Sequence, residues 1–115
     1  MKLIRRVLLV VALISPVFAT PASAINYTIT YNANETQHQA GVTSGAVPTT
    51  STHASGDVVT VAANSGNLAR QGFTFEGWNT AANGTGINFT AGSGTLTITN
   101  NLTLYGLFAN YILIK

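Results

Sequence analysis

The most constraining stretch of this chain is Ile25 to Tyr31. Ile25, Tyr27, Ile29 and Tyr31 fall on one side of an extended backbone there, and Asn26, Thr28 and Thr30 on the other. A period of two sustained in this way is the pattern of a half-buried β-strand. Beyond it, no stretch places apolar residues at i, i+3, i+4 and i+7 over three turns, and the supply of Thr, Asn, Gly, Ala and Ser favours strands joined by tight turns. The fold class that follows is mostly β, with little helix.

Five further regions carry strand patterns. Val58 to Ala62 follows the turn residues Gly56 and Asp57, while Ile87–Phe89 and Thr95–Thr99 flank the Gly92 and Gly94 turn. Gly72 to Asn79 places Phe73, Phe75 and the Gly77 position on one face and Trp78 on the other. The glycine beside the indole predicts a bulge that lets Trp78 fold back over the sheet. In the last region Leu102, Leu104, Gly106 and Phe108 alternate with Thr103, Tyr105 and Leu107, apolar on both sides, as in a central strand. Asn32 to Ser55, punctuated by Gly41, Gly45 and Pro48, reads as a long loop with room for one turn of ordered structure. The expected core is Tyr27, Ile29, Tyr31, Phe73, Phe75, Gly77, Trp78, Leu104, Tyr105 and Phe108.

Upstream, Lys2, Arg5 and Arg6 precede the unbroken apolar run Val7 to Ile14, then Ser15, Pro16 and a small-residue stretch ending Ala22, Ser23, Ala24. Basic, apolar, cleavable is the order of a secretory signal peptide, with cleavage expected after Ala24. The apolar run falls well short of the roughly 20 residues that span a bilayer, and Pro16 ends it, so no membrane span is expected after cleavage. The predicted organisation is residues 1–24 as signal peptide and 25–109 as one module. Residues 110–115 are either a C-terminal extension or the start of a truncated second repeat.

The leader takes three of the five basic residues with it. What remains is Arg70 and Lys115 against Glu35, Asp57 and Glu76, a net charge near −1. With one arginine in the body of the domain, nucleic-acid binding lacks its driving term. The chain has no cysteine, so a disulfide framework is excluded and stability must come from packing, turn chemistry or a neighbouring domain.

Catalysis needs a nucleophile, a base and an orienting group, and the mature chain offers only His38, His53, Asp57, Glu35 and Glu76 as acids or bases. No serine sits in a nucleophile-elbow context, and His38, His53 and Glu35 are spaced too irregularly for a zinc signature. No catalytic residue, metal or cofactor is therefore assigned. The residues offered for binding are His38 and His53 in the long loop, and Asn79 and Asn83 around the turn Asn83-Gly84-Thr85-Gly86. Trp78 has two readings, a core residue or a platform for a sugar ring.

Taken together, Tyr27–Tyr31, Gly56–Val61, Leu68–Thr80 and Leu102–Phe108 resemble one copy of the Listeria–Bacteroides repeat, the internalin B-repeat family. The most specific part is Gly72-Phe73-Thr74-Phe75-Glu76-Gly77-Trp78-Asn79-Thr80 with its Asn/Gly-rich turn. The resemblance implies a β-grasp-like module of α+β type built on a mixed, twisted sheet. It also implies a bacterial secreted or surface protein and a link to adhesion or spacing, with no catalytic residues. Two departures stand out: the loop from Asn34 to His53 is longer than usual, and Gly106-Leu107-Phe108 stands where the family commonly has Ala-Gln-Trp. Ala24-Ile25-Asn26-Tyr27-Thr28-Ile29 is echoed by Phe108-Ala109-Asn110-Tyr111-Ile112-Leu113, as where one repeat follows another. The expected role is a non-enzymatic, exported envelope or surface module for adhesion, spacing or protein–protein interaction. Its partner would be an unidentified protein, a cell-wall or host surface, or neighbouring repeats. A small secreted carbohydrate-binding or hydrolase-associated domain is the alternative.

Overall fold

The computed structural model describes residues 23–35 and 43–110; most of the expected signal peptide, His38 and the residues from Tyr111 on lie outside the described residues. Within these residues the strands are β1 Asn26–Asn32, β2 Thr43–Ser44, β3 Ser51–Ala54, β4 Val58–Thr60, β5 Ala69–Arg70, β6 Phe73–Asn79, β7 Asn88–Phe89, β8 Thr95–Thr97 and β9 Leu102–Asn110. Five of them form one sheet in the order β3-β1-β9-β6-β7, and β2–β5 and β4–β8 are two-stranded ribbons. The sheet is mixed, because β1 runs parallel to β9 while its other pairs are antiparallel. The strand apolar on both faces, β9, lies at its centre, and no α-helix occurs among the described residues.

One expectation fails here. The stretch from Asn32 to Ser55, read as a long loop with at most one ordered turn, holds the end of β1 and all of β2 and β3, and β3 aligns Ala54, His53, Thr52 and Ser51 with Asn26, Tyr27, Thr28 and Ile29 of β1. Ser51-Thr52-His53-Ala54 has no apolar alternation of its own. Its strand character comes from the partner it meets, which local propensity does not report.

The core forms where the inner face of the sheet meets the chain between β3 and β6 and the β4–β8 ribbon. Ile29, Tyr31, Trp78, Leu104 and Phe108 come from the sheet, and Val59, Val61, Leu68 and Ile98 close over them. Trp78 is completely buried, edge-on to Tyr31 at 4.8 Å and to Phe75 at 5.1 Å between ring centroids. Each such pair adds roughly 0.5–1.5 kcal/mol beyond its buried area. The polar tips are also satisfied: Trp78 Nε1–H donates to the Ala62 carbonyl at 2.8 Å, and the Tyr31 hydroxyl accepts from the Ala62 N–H at 2.8 Å.

A register shift delivers the indole to this face. Phe75 lies opposite Phe108 and Gly77 opposite Leu107, so Glu76 is an extra residue in β6. Strand parity changes there, and Trp78 comes to the same side as Phe75. Gly77 adopts φ 120°, and a Cβ on it would lie 2.5 Å from the Phe89 carbonyl oxygen, so only glycine fits.

The expected core needs one correction. Tyr105 does not join the tryptophan cluster; it aligns with Asn32 and Asn79 on the opposite face, half-buried. On β9 it alternates with the buried Leu104 and Gly106, and no bulge intervenes to turn it inward.

Candidate functional site

A trough of about 560 Å³ opens between β3 and β4. The two strands diverge from a tight turn in which the Asp57 N–H donates to the Ala54 carbonyl at 3.0 Å, and the Asp57 carboxylate accepts from the Ala54 N–H at 3.2 Å. Ser51 and His53 border the trough from β3, Val59 and Thr60 from β4, and Val47 and Tyr31 also contact it. No Asp, Glu, Lys or Arg lies along it. His53 is half-buried and its Nε2 lies 2.7 Å from Ser51 Oγ, the pair being neighbours two residues apart on one face of the strand. That supplies a hydroxyl and a base in contact. The orienting carboxylate a hydrolytic triad would add is not supplied by Asp57, whose oxygen is engaged by Ala54.

The other residues offered for binding fall elsewhere. Asn79 is a buried hub: its Oδ1 accepts from the Ala81 N–H at 2.9 Å and the Gly86 N–H at 3.0 Å, and its Nδ2 donates to the Gly84 and Gly86 carbonyls at 3.4 Å. Its polar atoms are used inside the turn, which removes Asn79 as a ligand-contacting residue. Asn83 is exposed and folds the same turn locally, its Oδ1 accepting from the Thr85 N–H and hydroxyl at 3.1 and 2.7 Å. His53 therefore stands more than one strand away from the asparagine turn, and the structure does not bring these residues into one site. Stacking a sugar on Trp78 is equally closed off, since the ring is 0% exposed.

Two buried polar residues escaped the sequence reading. Asn34, at φ 63°, donates from Nδ2 to the Ala82 and Gly106 carbonyls at 2.7 and 3.0 Å, tying the end of β1 to the asparagine turn and to β9. Arg70 is 3% exposed, with its guanidinium 5.4 Å above the Phe73 ring and Nη1 donating to Thr43 Oγ1 at 3.1 Å. The only sequence cue to the trough was parity: Val47, Thr49, Ser51 and His53 recur every second residue.

Residues 27–106, which run from β1 into β9 and include the bulged Phe-Thr-Phe-Glu-Gly-Trp-Asn strand, match the family model of the Listeria-Bacteroides repeat domain. The chain belongs to that family. As a Listeria-Bacteroides repeat domain it is also similar to a protein of Evansella cellulosilytica named "Putative Gly-rich membrane protein", at 41% identity over 66 residues. That alignment covers 57% of this chain and 7% of the relative, so this chain corresponds to a small part of that protein. No solved structure matches this chain. Among the described residues no group of three His, Cys, Asp or Glu side chains could hold a metal ion.

Proposed function

We propose that this chain works as a non-enzymatic module of the bacterial cell envelope or cell surface, exported by its leader, which spaces neighbouring segments and offers a surface for protein contact. The observation that carries this reading is the parallel pairing of the first and last strands, with Ile29 beside Leu102 and Asn32 beside Tyr105. Parallel strands run the same way, so the chain enters at one end of the sheet and leaves at the other. A hairpin-like pairing would return the chain to where it began. Copies joined end to end therefore extend a string instead of folding back. From Asn26 to Ile29 and on from Leu102 to Asn110, at about 3.3 Å per residue, the span is roughly 35 Å per module. Membership of a repeat family and the relative named as a membrane protein support placing such a string at the cell surface.

Small-angle scattering on one-copy and two-copy chains tests the spacing role. The maximum dimension is expected to grow by about the 35 Å module span; a two-copy particle barely longer than one copy would refute it. Protease shaving of intact cells tests the location, with loss of the module from unbroken cells as the expected result.

A further inference from the structure

We propose that the trough between β3 and β4 receives an extended, uncharged peptide segment of a partner protein, added as a strand to the open edge of β3. This deepens the protein-contact part of the proposed function and rests on it.

The phase of the β1–β3 ladder supports the proposal. The Ser55 N–H donates to the Ile25 carbonyl at 2.8 Å, so by antiparallel alternation His53 and Ser51 exchange hydrogen bonds with Tyr27 and Ile29. Thr52 and Ala54 must then direct their backbone groups away from β1. Those of Ala54 are taken by Asp57, whereas the N–H and C=O of Thr52 meet no partner among the described residues. The facing strand behaves alike. Ile98 N–H to Asp57 O at 2.9 Å and Val61 N–H to Gly94 O at 2.8 Å place Val59 in the β4–β8 ladder, so Val58 and Thr60 turn their backbone groups away from β8. Two strands with open backbone edges thus diverge from one turn, with a trough between them.

This is the geometry of strand addition, where main-chain hydrogen bonds hold the peptide and alternate side chains enter a neighbouring groove. The lining sets the chemistry of the occupant. Val47, Val59 and Ala62 offer apolar surface and Ser51 and His53 offer hydrogen bonds, without a formal counter-charge. A charged side chain would lose hydration there without compensation. An apolar or aromatic residue flanked by Thr or Asn fits. Pro48 and the Asp57-capped Ala54 bound the free edge, keeping it too short for edge-to-edge growth of many copies.

The probe is a labelled synthetic peptide of sequence Asn-Tyr-Thr-Ile-Thr-Tyr-Asn, copied from β1, which β3 already recognises along its other edge. It is titrated with the whole chain by fluorescence anisotropy. Saturable binding is expected, and Thr52→Pro should weaken it roughly tenfold by removing one edge donor and obstructing approach. Because the Thr52 N–H lies outside the β1 ladder, the melting curve should be unchanged. Thr49→Glu, an exposed position bordering the trough, is the second variant and should weaken binding while leaving the edge intact. No binding, or binding that survives either substitution in a folded protein, overturns the proposal. Survival in Thr52→Pro would mean that the peptide displaces β1 or sits elsewhere. None of these outcomes alters the two-copy scattering result, so a failure here is distinct from a failure of the spacing role.

Discussion

Gly77 and Asn79 flank the tryptophan and do opposite jobs with backbone and side chain. Gly77 supplies a positive φ and a close approach to the Phe89 carbonyl, and Gly77→Ala should cost about 1–3 kcal/mol. At roughly 4–8 °C per kcal/mol for a domain of this size, thermal melting should reveal it plainly. A melting temperature equal to that of the parent would mean that β6 can shed its bulge. Asn79 supplies an acceptor to two backbone N–H groups, and Asn79→Ala leaves the part-buried Ala81 and Gly86 donors to water at about 0.5–1.5 kcal/mol each. Limited proteolysis should then cut first between Thr80 and Gly86. The bulge was legible because Gly next to Trp breaks an otherwise regular alternation. The role of Asn79 was not, because an Asn in a turn-rich segment looks the same whether it faces solvent or folds inward.

The three longest strands of the sheet, β1, β6 and β9, announced themselves by pattern; the edge strand β3 did not. Ser51-Thr52-His53-Ala54 is small and polar, and becomes a strand only because β1 offers it a ladder. Hydrogen exchange resolves this residue by residue: amides of Ser51 and His53 should exchange slowly and that of Thr52 quickly. The reverse order would shift the phase of the ladder and remove the open edge. Protection should be greatest along β9, which is bonded on both sides, and lower in β3. Boundaries also moved: β4 and β8 end at Thr60 and Thr97, short of the patterned stretches, although the Val61 and Ile98 N–H groups still donate to the Gly94 and Asp57 carbonyls.

At the scale of the molecule, a cysteine-free module builds its stability on one tryptophan-centred cluster and a set of asparagine-held turns. Replacing Trp78 by Phe removes the donor to the Ala62 carbonyl and leaves a void, at roughly 2–4 kcal/mol, detectable by denaturant titration as a lower midpoint with an unchanged slope. While the structure decided between the two readings of Trp78, the sequence by itself determined the β class, the bulge at Gly77 and the central place of β9. Each of these is written in a period or in a glycine whose steric demand is local. Tertiary structure alone decided that β3 exists, that Tyr105 faces away from the core, that Arg70 and Asn34 are buried, and that two open edges border one trough. Those depend on which distant segments meet and in what register, and a register that slips by one residue exchanges the two faces of a strand without altering a single local preference.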